Sequence, residues 1–132
     1  MTWITAYIFT AIAFFAIDFL WLGTLARKFY FSRMSHLLAG KVNYPAAAGF
    51  YAVYVVGLII FSVAPAIATG SWQTAAVYGA LFGFFCYATY DMTNQATLKN
   101  WPVAVTVVDI GWGTLLSGSA ATIGYFATRA VA

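Results

Sequence analysis

A chain of 132 residues that is 64% hydrophobic, 20% aromatic and only 7% charged excludes an ordinary water-soluble domain, in which roughly a quarter of the residues are charged. Too little polar surface remains to cover a globule of this size, so the ceiling is one domain whose core is shared with lipid. Six Lys and Arg against three Asp, with no Glu, give a net charge of +3, too thin a surplus to bind nucleic acid.

Four apolar stretches, residues 3–25, 46–68, 72–98 and 103–127, each reach the ~20 residues that cross a ~30 Å hydrocarbon core. They predict an all-α, integral membrane four-helix bundle. The amino end, Met1-Thr2-Trp3, lacks the basic region of a secretory signal, and its apolar run is too long for one, so it reads as a retained first helix. Between the first two stretches, Phe29, Tyr30, Met34, Leu37 and Leu38 share a helical face against Lys28, Ser32, Ser35 and His36, which predicts a short helix lying at the headgroups. An irregular aromatic loop is the alternative. Asn43-Tyr44-Pro45 opens the second span, Thr69-Gly70-Ser71 separates the second from the third, and Asn100-Trp101-Pro102 starts the fourth. Cys86 sits alone in an apolar run and reads as packing.

Arg27, Lys28, Arg33 and Lys41 lie in the first loop and Lys99 in the third, against Arg129 alone on the other side. Basic residues concentrate on cytoplasmic loops, so both termini are expected on the non-cytoplasmic side, in one orientation. Counting 1.5 Å per residue from the span ends then puts Asp18, Asp91 and Asp109 at one level, roughly 10 Å inside the cytoplasmic boundary. On the fourth span, Asp109, Gly113, Ser117 and Ala121 recur every four residues, the small-residue pattern that lets helices approach closely. On the third, Tyr87, Asp91, Asn94 and Gln95 share a face, and Gly79 and Gly83 offer close approach. Asp18-Phe19-Leu20-Trp21 is echoed by Asp109-Ile110-Gly111-Trp112; a distant duplication and coincidence both account for it.

A carboxylate in hydrocarbon costs several kcal/mol unless neutralised or paired, and no Lys or Arg lies within the four spans. In the purely structural reading, each protonated Asp bonds a neighbouring helix, with Tyr90, Thr93 and Asn94 as partners. The functional reading makes Asp18, Asp91, Asp109 and Asn94 a catalytic group, with Trp21, Tyr90, Thr93, Trp112 and Arg33 framing a substrate. Acid and base work needs two carboxylates in different surroundings: Asp18 among rings as the acid, Asp91 beside Asn94 and Thr93 as the base. Asp18, Asp91, Asp109 and His36 would be the ligands if a metal were bound, although their spacing matches no metal motif. No cofactor is specified.

The run Tyr90-Asp91-Met92-Thr93-Asn94-Gln95-Ala96-Thr97-Leu98-Lys99-Asn100-Trp101-Pro102, with Asp109-Ile110-Gly111-Trp112-Gly113 and Asp18-Phe19-Leu20-Trp21-Leu22-Gly23, resembles the signature of a family of predicted bacterial membrane proteins, a domain of unknown function. The resemblance covers essentially the whole chain. It implies a bacterial inner membrane and a four-helix unit and, through members encoded near lipid-modifying enzymes, a place in membrane lipid metabolism. Three functions compete. An enzyme or enzyme component acting on a membrane lipid would use the three Asp directly. A small subunit or assembly factor of a larger complex, or a homo-oligomer, would use the aromatic and small-residue faces. A proton- or cation-coupled carrier would alternate its acids between proton and substrate.

Overall fold

The computed structural model describes residues 2–38 and 41–131, Leu25 in its backbone only. Every regular element among them is helical: α1 (Thr2–Leu20), α2 (Arg27–Met34), α3 (Tyr44–Leu58), α4 (Ala64–Thr69), α5 (Trp72–Thr97) and α6 (Val103–Val131). Two wider π turns, Trp21–Leu25 and Ile59–Val63, extend α1 and join α3 to α4. Three continuous helices, Thr2–Thr24, Tyr44–Thr69 and Val103–Val131, are long and apolar enough to cross a membrane. α5 has the length, at 26 residues, but its carboxyl-terminal half is diluted by Asp91, Thr93, Asn94 and Gln95.

Turn chemistry sets the boundaries. The Asn43 side chain accepts from the Ala46 N–H and Pro45 occupies the first turn of α3, while the Ser71 hydroxyl accepts from the Thr74 N–H at the start of α5. Gly70 ends α4 with φ 68°, a left-handed conformation that costs glycine little. Asn100 takes φ 60° between α5 and α6, which its short polar side chain tolerates. The second span expected from sequence runs unbroken from Tyr44 to Thr69, with one wider turn inside it. Pro65 has no N–H and crowds the carbonyl four residues back, and the π turn just before it, closed by Ala64 N–H to the Ile59 carbonyl, takes up that misfit.

The α5–α6 seam is the most extensive contact in the molecule, followed by α1 against α6. In a bilayer such association rests on close packing rather than on water exclusion, and the small residues supply it. A Cβ on Gly79 would meet Ala121 Cβ at 2.8 Å, and one on Gly83 would meet the Gly113 carbonyl at 2.2 Å. The face Asp109, Gly113, Ser117, Ala121 is thus turned into the bundle as its spacing predicts. The outside stays apolar: Phe19 is 72% exposed, Val53 73% and Leu115 67%, a surface suited to lipid.

A closed ring of hydrogen bonds locks the α5–α6 turn. Trp101 Nε1 donates to Thr106 Oγ1 (2.9 Å), Thr106 Oγ1 to Gln95 Oε1 (2.8 Å), and Gln95 Nε2 to the Trp101 carbonyl (2.8 Å). Thr106→Val opens the ring at its shared hydroxyl and should destabilise the protein by about 1–2 kcal/mol in detergent thermal unfolding. Thr97→Val should change little, because the exposed Thr97 hydroxyl bonds only its own helix.

Candidate functional site

α1, α3, α5 and α6 enclose a cavity of about 940 Å³. The backbones of α3 and α5 come close at the π turn Ile59–Val63 and are bridged before it by Tyr54 against Phe82 and Tyr87, so the two helices part towards the end that carries the Asp residues. The cavity occupies that gap. Phe50, Phe61, Phe85 and Tyr90 line it while remaining exposed, so its mouth faces sideways, into the surface that suits lipid. Tyr54, Phe82 and Tyr87 form the inner wall, and Asp18, Asp109 and Trp112, on α1 and α6, stand at the back.

Asp18 is 5% exposed. Its carboxyl accepts from Tyr51 Oη at 2.5 Å and from Trp112 Nε1 at 3.1 Å. One turn before Trp112, Asp109 Oδ1 accepts from Tyr30 Oη at 3.0 Å, and Trp21 Nε1 lies 3.4 Å from that same hydroxyl. Burial first, and then the nearby Asp109 carboxyl, push the Tyr30 phenol above its ordinary range, so it stays a hydrogen-bond donor. The Trp21 and Trp112 rings are stacked, 4.2 Å apart and 9° from parallel.

The two Asp-x-x-Trp segments therefore interlock. Trp112 of the second serves Asp18 of the first directly, and Trp21 of the first serves Asp109 of the second through Tyr30. α1 and α6 run antiparallel here, which brings the two segments side by side with their indoles stacked between them.

Asp91 is wholly buried with the Asp109 carboxyl within hydrogen-bonding reach; no other group bonds its two oxygens, so the two acids can pair only by sharing a proton. The partners expected for it from sequence do not engage. Thr93 is exposed, being two residues on and so turned towards the opposite side of the helix. Asn94 is half-buried and leaves both Asp91 oxygens free. Tyr90 lines the cavity mouth and meets Trp101 edge-on at 6.1 Å. Arg33 does not fold back onto the carboxyls: it is exposed and its guanidinium stands 4.2 Å over the Phe29 ring, a cation–π contact that holds it on its own helix.

His36 Nε2 is 2.9 Å from the Asn100 carbonyl oxygen, so it donates there and ties the segment after α2 to the turn before α6. Among the described residues no group of three His, Cys, Asp or Glu gathers closely enough to hold a metal ion. Asp18 is instead bonded to Tyr51 and Trp112. Ala39 and Gly40, in the stretch expected to lie at the headgroups, fall outside the described residues.

Tyr51 and Tyr30, which donate to the Asp18 and Asp109 carboxyls, are side chains that sequence reasoning passes over as aromatic bulk. The available signal for Tyr51 was its place with Tyr54 on one face of α3, each supplying a hydroxyl to the interior: Tyr54 Oη lies 2.6 Å from Ser117 Oγ. Cys86 packs against the core, as read from sequence, and also lines the cavity.

No curated protein and no solved structure matches the chain. The family model described as a predicted membrane protein (DUF2177) matches residues 3–126, and the chain belongs to that family.

Proposed function

We propose that this protein takes a membrane lipid sideways into the gap between α3 and α5 and takes part in its chemical modification at Asp18, Asp109 and Asp91. In this reading α5 is a fourth span, α2 lies at the headgroups, and the positive first and third loops set the Asp-bearing end on the cytoplasmic side of a bacterial inner membrane. The observation that carries the proposal is the cavity itself: aromatic walls and a lateral mouth suit an acyl chain, and carboxyls at its back meet the headgroup end. Asp18, fixed by two donors, is placed to act as the base. Asp91, buried with no neighbour but Asp109 at its oxygens, is placed to hold the proton that the pair exchanges. This reverses the division of labour drawn from the neighbours in sequence.

The test is a lipid profile by mass spectrometry of host cells lacking the gene, complemented with the wild-type chain or with Asp18→Asn or Asp109→Asn. At least one lipid class should differ between deletion and wild type, and the Asn variants, present at wild-type levels in the membrane, should match the deletion. Identical profiles in all four strains would refute the proposal.

A second reading, a subunit of a larger complex, draws on one separate feature. The outer face of the α5–α6 seam carries a shallow groove of small side chains, among them Ala76, Ala80, Gly118 and Ser119, where another helix can approach closely. Under that reading the Asn variants would lower recovery of the complex and leave lipids unchanged.

A further inference from the structure

We infer that the ligand of this cleft carries a cationic nitrogen. The inference rests on the lipid-binding reading above and adds the chemistry of the headgroup.

None of the described residues lining the cavity is Lys, Arg or His, whereas two are Asp and eight are Phe or Tyr. An anionic headgroup would meet carboxyls at the back and the negative faces of aromatic rings along the walls, with no countercharge. The donors that reach the carboxyls, Tyr51, Trp112 and Tyr30, are all neutral. They satisfy lone pairs without cancelling charge, so ionised carboxyls here lack a counterion. A neutral alcohol would add a further hydrogen bond and leave that deficit in place.

A cationic nitrogen cancels the charge and is also attracted by ring faces, the arrangement that aromatic cages use for ammonium groups. Tyr54, Phe82 and Tyr87 supply rings beside Asp18 and Asp109. A volume of about 940 Å³ accommodates a headgroup and part of a chain together.

Cys86, the single cysteine of the chain, lines the same cavity and reports its occupancy. Purified full-length protein in a nonionic detergent is alkylated with an uncharged maleimide in the presence of hexadecyltrimethylammonium, hexadecylammonium, hexadecanol or hexadecyl phosphate, and modification is followed by intact mass. Native mass spectra of the same mixtures count bound amphiphile and serve as the readout if alkylation is slow.

The expected result is protection by a cation at about tenfold lower concentration than hexadecanol, with hexadecyl phosphate weakest. The better of the two cations tells a quaternary ammonium from a protonated amine. Asp109→Asn, which still accepts from Tyr30, should remove the preference for cations while hexadecanol continues to bind. Equal protection by all four amphiphiles would overturn the cation inference and leave the lipid cleft standing. Absence of protection and of bound amphiphile throughout would overturn both.

Discussion

Gly83→Val should yield essentially no folded protein, whereas Gly111→Ala, on the neighbouring helix, should unfold at or slightly above the wild-type temperature. At Gly83 a Cβ would stand 2.2 Å from the Gly113 backbone carbonyl and 2.5 Å from Ser117 Oγ. The carbonyl belongs to a helix backbone and cannot turn aside, so α5 and α6 must separate along their seam. Forcing atoms into a packed contact costs about 1–3 kcal/mol, or more where backbone must move, and this seam is the largest in the molecule. Gly111 has nothing within 4 Å of its Cβ position, so alanine there gains helix propensity of roughly 0.5–1 kcal/mol. Size-exclusion chromatography after a temperature series, in one detergent, compares the two. Equal recovery of both variants would show that α5 and α6 do not meet at these glycines.

Asp91→Leu should stabilise the protein, by about 1–3 kcal/mol, and abolish its effect on the host lipid profile. The Asp91 carboxyl is fully buried and no group other than the Asp109 carboxyl reaches its oxygens, so the folded state bears the desolvation of two adjacent acids with at most one shared hydrogen bond in return. A leucine of similar size removes that burden and also the acid beside Asp109. Asp91→Asn is the companion variant: it keeps a buried polar group, which can donate to the Asp109 carboxyl, but cannot release a proton, and should lose function while the protein stays folded. Thermal unfolding checks the first half of the prediction and lipid mass spectrometry the second. A leucine variant that is strongly destabilised would mean that groups other than Asp109 hydrogen-bond Asp91 in the folded protein.

The helices were legible because each rests on a local signal. Asn43 with Pro45, Ser71, and Gly70 mark helix ends by backbone chemistry that operates within a few residues, and the four-residue recurrence from Asp109 to Ala121 shows which face of α6 turns inward. The meeting of the Asp residues at one end follows from counting rise per residue, since antiparallel packing converts equal distances from the turns into equal depth. What the chain did not disclose depends on contacts far apart in sequence. Tyr51 reaches Asp18 across 33 positions and Tyr30 reaches Asp109 across 79, and no periodicity separates such a tyrosine from one that faces lipid. The gap between α3 and α5 is likewise set by how two helices splay beyond the π turn. The echo of Asp18-Phe19-Leu20-Trp21 in Asp109-Ile110-Gly111-Trp112 was visible, but its meaning, an exchange of indoles between carboxyls, needed the two segments side by side.

The lateral cleft is tested most directly by photo-cross-linking in the membrane with a phospholipid bearing a diazirine near the headgroup end of one acyl chain, followed by peptide mapping. If lipid enters between α3 and α5, labelling should reach Tyr54, Cys86, Tyr87 and Asp109 on the inner walls, and excess hexadecylammonium should suppress it there while leaving outward residues such as Val53 and Leu115 labelled. Labelling confined to outward-facing residues, unchanged by the competitor, would contradict the account.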